Sequence, residues 1–173
     1  MTLPIIVLDN IIRDDLILSL KKLNNFKKST IKDLSGTPLG LSSQIRRREI
    51  VLDSKDVDQS LIKIFEDANA SYNFNLNYSN CEFRIVKYSA EDAGQMGWHD
   101  DIYYDDPSNT NALTLIIGLD CDYEGGGLDI ENRLEDFKIT KNTGIIFPSN
   151  LKHRVCMVTK GVRTVLVGWI RFA

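Results

Sequence analysis

"VRTVLVGWIRF", residues 162–172, is the stretch of sequence that decides the fold. Successive side chains of a β-strand point to opposite faces, so a strand with one wet face alternates apolar and polar residues. Here both alternating sets are apolar, which is typical of a strand covered on both faces. One charged residue interrupts one of these sets, because Arg163 is predicted to point to the same face of the strand as Val165 and Trp169. The sequence therefore predicts a doubly covered strand that carries a buried cation.

Further short strands are predicted along the chain after residue 80. This part is rich in β-branched and aromatic residues, and Asn, Asp, Gly, Pro and Lys punctuate it. The predicted strands are CEFRIVKY (81–88), WHDDIYY (98–104), NALTLIIGL (111–119), GLDIE (127–131), GIIFP (144–148) and HRVCMV (153–158). Together with RREIVL (47–52) and the stretch at 162–172, they make about eight strands. A short buried strand is also predicted at PIIVL (4–8).

Two amphipathic helices are predicted ahead of these strands. The first spans residues 13–26, where leucines recur at helical spacing. The second spans residues 56–72 and is expected to begin with a capping pair of Asp56 and Gln59. Its apolar stripe comprises Val57, Leu61, Ile64, Phe65 and Ala68. Two helices followed by many short strands predict a mainly β, α+β fold: a two-sheet sandwich or jelly roll with the helices outside one sheet.

Length and composition limit the class of protein. A chain of 173 residues is expected to form a single domain, residues 1–173, with helical support over about 1–75 and a core over about 80–173. The formal net charge of -3 gives no general attraction to nucleic acid or to anionic membrane, and the basic stretch at 44–49 is interpreted as a solvated strand end.

Cysteine usage and hydropathy suit a cytoplasmic protein. The three cysteines, which are far apart in the sequence, argue against a disulfide framework and are expected to pack as small apolar groups. The apolar run at the N-terminus is too short for a signal peptide, and no run has the length of a membrane span.

"WHDDIYYDD", residues 98–106, places a histidine among four aspartates. If this stretch is a strand, His99 and Asp101 project to the same side, about 6–7 Å apart at the backbone. His153 is the only other histidine. Two histidines and one carboxylate with open positions form the facial triad of non-haem Fe(II) oxygenases. The alternative is that both histidines are ordinary hydrogen-bonded strand residues, and the short motif alone favours that alternative.

Arg163 has two interpretations. Burying an unpaired cation costs about several kcal/mol of desolvation free energy, so Arg163 needs an anion. That anion is either a structural partner such as Glu82 or Asp129, or a small carboxylate ligand held in bidentate fashion by the guanidinium.

The ordered set His99-x-Asp101, His153 and Arg163 resembles the 2-oxoglutarate- and Fe(II)-dependent oxygenases, in their prolyl 4-hydroxylase-like branch. The surroundings are also similar to that family. The similar segments are FRIVKYSAEDAGQMGWHDD, DYEGGGLDI, GIIFPSNLKHRV and GVRTVLVGW. The likeness covers residues 80–172, whereas residues 1–70 match only in layout.

The resemblance implies a double-stranded β-helix core of the jelly-roll, cupin-like type, and a role for each matching residue. His99, Asp101 and His153 would bind Fe(II), and Arg163 would complete the catalytic set by pairing with the far carboxylate of 2-oxoglutarate. Tyr88 would hydrogen-bond the cosubstrate or the substrate, and Trp169 would form a wall of the site. Gly118 stands where many relatives carry a cosubstrate-binding tyrosine, which implies one hydrogen bond fewer and a wider pocket.

The implied reaction uses Fe(II), 2-oxoglutarate and O2, with ascorbate as a candidate auxiliary reductant. It hydroxylates an unactivated C–H bond and releases succinate and CO2. The expected substrate is a prolyl residue in a peptide or protein. A loop carrying Asp105 and Asp106 is expected over the pocket, while Asp100 is expected behind the ligands or in solvent. The alternatives are a free amino acid, a nucleobase or another small molecule as substrate, or a non-catalytic metal-binding module.

Overall fold

The structure is a computed structural model that describes residues 3–29, 31–32, 38–39, 45–53, 57–133 and 137–173. The helices are α1 (Asp14–Lys21) and α2 (Gln59–Tyr72). The strands are β1 (Ile6–Asp9), β2 (Lys27–Lys28), β3 (Ile31–Lys32), β4 (Pro38–Leu39), β5 (Ile45–Arg46), β6 (Arg48–Val51), β7 (Leu76–Ser89), β8 (Gln95–His99), β9 (Asn111–Gly118), β10 (Tyr123–Gly125), β11 (Leu128–Ile130), β12 (Thr143–Pro148), β13 (His153–Val155) and β14 (Val158–Phe172). The predicted class, mainly β with two helices, is confirmed.

Helix α1 is shorter than predicted. Asp14 and Asp15 occupy its first turn, where carboxylates stabilise the positive end of the helix dipole. The helix buries Ile17 and Leu20, while Leu23 lies beyond its end and is exposed. The predicted extension to residue 26 is wrong because the two asparagines at positions 24 and 25 are poor helix formers.

Helix α2 begins at a different cap from the one predicted. The carboxylate of Asp58 accepts a 2.9 Å hydrogen bond from the backbone N–H of Ser60, which satisfies one of the donors left free at a helix start. Asp56 lies outside the described residues. The helix ends at Asn73, whose φ of 54° is in the left-handed region. Its predicted apolar stripe is confirmed, with Leu61, Phe65 and Ala68 buried.

Most strands belong to one large antiparallel sheet. Its order is β1-β12-β9-β14-β7-β6-β2, and β10 pairs with β14. A smaller sheet has the order β11-β13-β8-β5, and β3 pairs with β4. Strand β14 lies between β7 and β9, so its backbone is hydrogen-bonded along both edges. Its side chains are apolar in both alternating sets because each face of the strand packs in a different core cluster.

The two faces of the large sheet are covered by different layers. On β14, Leu166 and Ile170 pack in one core cluster with the helix residues, whereas Val165 and Val167 pack in a second cluster with residues of the small sheet. Strand β7 shows the same alternation. The prediction that the helices pack outside one sheet is therefore confirmed, and the second cluster lies between the two sheets. Neither described helix has the length and hydropathy that a membrane crossing requires.

Three predicted strands differ from the observed ones. Strand β1 is a half-exposed edge strand, with Val7 61% exposed, because it pairs only with β12. The expectation of a buried strand there is wrong. Strand β8 ends at His99 and does not continue to Tyr104. The segment HRVCMV is also split, since residues 156 and 157 separate β13 from β14.

Candidate metal centre

The two histidines are brought together by the small sheet. His99 is the last residue of β8, His153 is the first residue of β13, and the two are direct partners in the antiparallel register. Their ring centroids lie 4.2 Å apart. Asp101 is on the same side although it lies beyond the strand, so the predicted convergence holds for a different reason from strand alternation.

Backbone hydrogen bonds place Asp101. Its N–H donates to the carbonyl oxygen of Ser149 at 2.9 Å, and its own carbonyl oxygen accepts from the Asn111 side chain at 2.9 Å. Ser149 follows β12 and Asn111 begins β9, so both anchors belong to the ends of large-sheet strands. The large sheet therefore supplies the position of the carboxylate, while the small sheet supplies the imidazoles.

The three side chains have the geometry of a metal centre. His99 Nε2 lies 3.7 Å from Asp101 Oδ1, and His153 Nε2 lies 3.6 Å from Asp101 Oδ2. One ligand atom from each residue falls within 4.8 Å of the other two. His153 is 3% exposed, which keeps this ligand from water. The distances suit three ligands that share one small cation.

The hydrogen bonds on the far side of each ring fix which nitrogen is free. His99 Nδ1 lies 2.8 Å from the carbonyl oxygen of Gly97, and His153 Nδ1 lies 2.9 Å from that of Leu151. A carbonyl oxygen only accepts, so each Nδ1 carries the proton and each Nε2 presents a lone pair. Two lone pairs and a carboxylate then face one another without a shared proton. A bound cation would relieve this repulsion, and the nitrogen, nitrogen, oxygen donor set suits Fe(II).

Burial keeps His99 ready to bind a cation. Desolvation, followed by the neighbouring His153, lowers the pKa of His99 below its usual value of 6.5. The imidazole is therefore neutral near pH 7, the form in which it coordinates a metal.

Thr114 connects the large sheet directly to the metal ligands. Its hydroxyl donates to Asp101 Oδ2 at 2.8 Å and lies 2.9 Å from the hydroxyl of Ser149. Thr114 is fully buried in β9, whose other buried positions, apart from Asn111 at its start, are apolar. Sequence reasoning missed this residue. A single hydroxyl in the otherwise apolar run ALTLIIGL (112–119) was the signal that could have found it.

Arg163 does not form the structural salt bridge that was the alternative. Its expected partners are engaged elsewhere, since Glu82 accepts from Arg84 at 2.6 Å and Asp129 accepts from Arg154 at 2.7 Å. Arg163 is 1% exposed, and within the described part of the chain its Nε and Nη2 have no hydrogen-bond partner. These two nitrogens form one edge of the guanidinium, the edge that binds a carboxylate in bidentate fashion.

Tyr88 lies beside this guanidinium. It is the direct partner of Arg163 across β7 and β14, and its ring centroid lies 5.3 Å from Arg163 Cζ. The Tyr88 hydroxyl accepts from Arg47 Nη1 at 3.5 Å. Tyr88 thus lies between two arginines, and its predicted role toward cosubstrate or substrate stays a prediction.

Arg47 was interpreted from sequence as part of a solvated strand end, and that interpretation is wrong for this residue. Its side chain is only 14% exposed and lies 3.3 Å from the carboxylate of Glu49. Gln44, in the same basic stretch, lies outside the described residues. Nothing in the triplet of arginines distinguishes the buried one, so only the packing of β6 against β7 reveals it.

A cavity of about 220 Å³ opens next to Asp101. Its lining residues are Arg47, Glu82, Arg84, Asp100, Asp101, Ile102, Tyr103, Asn111 and Trp169. Trp169 is 9% exposed, and its Nε1 has no hydrogen-bond partner among the described residues. Trp169 thus lines the same cavity as Asp101, and its role as a wall of the metal site stays a prediction.

The acidic stretch after Asp101 forms one side of this cavity. Ile102 and Tyr103 line it, and Tyr104, which is 72% exposed, donates its hydroxyl to Asp100 at 2.6 Å. Asp105 and Asp106 are exposed to solvent. The stretch therefore carries two exposed carboxylates in the loop that continues from the cavity-lining Tyr103.

Gly118 does not widen the interior as the sequence implied. A Cβ at this position would collide with the carbonyl oxygen of Thr140, so the backbone at Thr140 already fills the space where a side chain would point. Asn142 N–H donates to the Gly118 carbonyl at 2.9 Å and holds the two segments together. The glycine is required by this close approach.

Cys81, Cys121 and Cys156 form no disulfide, which agrees with the sequence-based argument against a disulfide framework. Cys81 and Cys156 are partly buried, whereas Cys121 is exposed, so the expectation of buried packing is wrong for Cys121.

Sequence comparison supports the geometry. The sequence profile described as the 2OG-Fe(II) oxygenase superfamily matches residues 83–171. A PKHD-type hydroxylase of Synechococcus sp. (strain CC9311) is 36% identical over 88 residues, which are 50% of this chain and 40% of that relative. The chain thus spans less than half the length of the curated relative that it matches.

Solved structures share the fold. A Pseudomonas putida prolyl-4-hydroxylase superposes with a TM-score of 0.73 at 15% identity, covering 98% of this chain and 92% of the other. A viral collagen prolyl hydroxylase from Paramecium Bursaria Chlorella virus-1 superposes with a TM-score of 0.72 at 17% identity, covering 98% and 96%. These are double-stranded β-helix folds, and the predicted fold class is confirmed.

Proposed function

We propose, since the chain belongs to the 2OG-Fe(II) oxygenase superfamily, that it is an Fe(II)- and 2-oxoglutarate-dependent dioxygenase that hydroxylates a prolyl residue in a peptide or protein. One observation carries this proposal. The convergent lone pairs of His99, Asp101 and His153 lie in the same inter-sheet layer as a buried arginine whose bidentate edge is free. Two purely structural histidines would not need converging lone pairs. A structural ion pair would leave no free edge on the guanidinium.

The protein side of the reaction follows from these contacts. His99, Asp101 and His153 would hold Fe(II), and Thr114 would orient the carboxylate. Arg163 would pair with the far carboxylate of 2-oxoglutarate. When bound, Fe(II) and 2-oxoglutarate together activate O2 for oxygen insertion into an unactivated C–H bond, with succinate and CO2 as co-products. The burial of His153 and Arg163 excludes water from the ligands, which strengthens each charge interaction there.

The cavity beside Asp101 is the proposed substrate site. Its two arginines already have carboxylate partners, because Arg47 lies 3.3 Å from Glu49 and Arg84 lies 3.1 Å from the same residue. A substrate therefore need not bring its own anion. This charge balance supports a peptide over a free amino acid, whose carboxylate would have to compete with Glu49.

The prolyl identity of the target rests on similarity. The curated relative is named a PKHD-type hydroxylase, and the solved structures of the same fold include prolyl hydroxylases. Asp105 and Asp106 add a charge preference, because two exposed carboxylates in the loop that follows the cavity-lining Tyr103 would attract a peptide with lysine or arginine beside the target residue.

Two assays test the proposal. The purified protein is incubated with Fe(II), 2-oxoglutarate, ascorbate and proline-containing peptides, with and without flanking lysines. Succinate release and a peptide product heavier by one oxygen atom, found by mass spectrometry at the proline, are expected. Oxygen gain only by free amino acids or nucleobases would remove the prolyl assignment and leave the oxygenase assignment in place. Absence of succinate with every substrate, while Fe(II) still binds, would favour the non-catalytic metal-binding module. Omitting ascorbate shows whether the reductant sustains turnover.

A further inference from the structure

The free edge of Arg163 is useful only if the side chain is held in one direction. Arginine is long and flexible, so an unsupported guanidinium would sample several orientations and bind a carboxylate weakly. Tyr88 supports one side of it, at 5.3 Å from ring centroid to Cζ. A second contact to the Arg163 side chain comes from the turn that follows β10.

Gly126 brings that turn against Arg163. A Cβ on Gly126 would lie 2.9 Å from Arg163 Cδ and 3.4 Å from Tyr123 Cε2, so the bare backbone at this position packs against both side chains. The φ of Gly126 is +67°, in the region that favours glycine. Tyr123, the first residue of β10, is buried beneath this turn and is 6% exposed.

A hydrogen bond fixes the Tyr123 ring. Its hydroxyl donates to the carbonyl oxygen of Ile139. Burial raises the pKa of Tyr123, although the charge of Arg163 opposes that effect, so the phenol keeps its proton near neutral pH. A neutral phenol does not neutralise the guanidinium. The charge of Arg163 stays available to a ligand.

The segment that Tyr123 anchors also closes the interior at Gly118. Ile139 directly precedes Thr140, whose carbonyl oxygen fills the space beside Gly118. A backbone carbonyl cannot donate a hydrogen bond to a carboxylate. The position where the family resemblance implied a cosubstrate-binding tyrosine thus offers no donor, and recognition of the far carboxylate depends on how well Arg163 is held.

We propose that Tyr123 is a positioning residue for the far carboxylate of 2-oxoglutarate. It acts through Arg163, which it holds against Tyr88, and through the Ile139 carbonyl, which fixes the closing segment. The inference rests on the proposed function, because it takes 2-oxoglutarate as the ligand of Arg163.

The test compares two 2-oxo acids that differ only at the far end. 2-Oxopentanoate has the same chain length as 2-oxoglutarate and lacks its far carboxylate. Each is titrated anaerobically into the Fe(II)-loaded protein, and binding is followed by the metal-to-ligand charge-transfer absorption band. For Tyr123→Phe, we expect the dissociation constant of 2-oxoglutarate to rise about threefold to tenfold, the effect of one hydrogen bond. That of 2-oxopentanoate should stay unchanged.

Tyr72→Phe is the matched control. The Tyr72 hydroxyl is also buried and also donates to backbone carbonyls, those of Pro4 and Ile146 at 2.9 and 3.0 Å, but Tyr72 packs in the helix-side cluster away from Arg163. Its loss should lower the melting temperature and leave both dissociation constants unchanged. Equal weakening of both 2-oxo acids by Tyr123→Phe would show a merely structural role and overturn the proposal, as would no change in either.

A third result separates this inference from the proposed function. If the unsubstituted protein bound 2-oxoglutarate no better than 2-oxopentanoate, the cosubstrate assignment itself would fall, and the role of Tyr123 with it. If the unsubstituted protein discriminated strongly and Tyr123→Phe did so equally, the proposed function would stand and the Tyr123 inference alone would be wrong.

Discussion

The hydroxyl of Thr114 donates a 2.8 Å hydrogen bond to Oδ2 of Asp101. This contact joins the centre of the large sheet to a ligand that lies in a loop. A loop carboxylate could otherwise rotate, and rotation would separate it from the two imidazoles that the small sheet holds in register. The geometry of the candidate metal centre therefore depends on Thr114, which is not one of its three candidate ligands.

Replacement of Thr114 by valine should weaken Fe(II) binding while preserving the fold. Valine has nearly the same shape but cannot orient the carboxylate, and loss of such an outer contact typically reduces metal affinity by about tenfold to a hundredfold. Isothermal titration with Fe(II) under anaerobic conditions measures the change. Thr164→Val, at another buried threonine, is the control. Equal affinities in the two variants would show that Asp101 is held by its backbone contacts alone.

Each member of the triad should be indispensable for metal binding. His99→Ala, Asp101→Asn and His153→Ala should each remove high-affinity Fe(II) binding and 2-oxoglutarate turnover, since a centre with three protein ligands has none to spare. Asp100→Asn is the matched control, because its carboxylate bonds Tyr104 instead. Circular dichroism checks that the fold remains. Retention of iron by His153→Ala would remove this residue from the ligand set.

Arg163→Met should change ligand binding and stability in opposite directions. Loss of a charge-assisted pair costs roughly 1.5–3 kcal/mol, so 2-oxoglutarate affinity should fall by about tenfold or more. Removing a buried cation that has two unpaired guanidinium nitrogens among the described contacts should raise the melting temperature of the ligand-free protein. Arg154→Met, at an exposed arginine, should show neither effect. An unchanged 2-oxoglutarate dissociation constant in Arg163→Met would contradict the assigned role.

The pH dependence of the centre should follow His99. Its folded pKa is lowered by burial, whereas in the unfolded chain it is near the ordinary value of 6.5. As pH falls below 6.5, the unfolded chain takes up the proton first, so the metal-free fold should lose stability until the folded pKa is reached. Fe(II) affinity should stay constant above that folded pKa and fall below it. Urea titrations between pH 7.5 and about pH 5 test the sign, because stability that rose on acidification would contradict a lowered pKa.

Thiol reactivity should separate Cys81 from Cys121. Burial raises the pKa of Cys81 to about 11, while Cys121 is exposed. The thiolate is the reactive form, so at pH 8 iodoacetamide should modify Cys121 well before Cys81. Peptide mapping after timed alkylation gives both rates. Comparable alkylation rates of Cys81 and Cys121 in the folded protein would mean that the Cys81 thiol is more accessible than its packing indicates.

The sequence by itself determined the layers of this protein. Apolar residues in both alternating sets indicate a strand that is covered on both faces. Residues 162–172 have that pattern, so a central strand was predictable without coordinates. The convergence of His99, Asp101 and His153 was also predictable, because the chain has only two histidines and one His-x-Asp pair among its candidate strands. The resemblance to a known family then ordered these residues into a site.

Tertiary structure alone decided how those residues are held and which charges are free. Arg47 and Arg48 are adjacent and identical in type, yet only Arg47 is turned toward the cavity, because strand packing selects one parity. Within the described part of the chain, Nε and Nη2 of Arg163 have no hydrogen-bond partner, because Glu82 and Asp129 are paired with other arginines. Such pairings depend on distances between residues far apart in the chain, and local pattern carries no information about them. The convergence of His99 with His153 has the same cause, since a register of strands exists only once both have folded into one sheet.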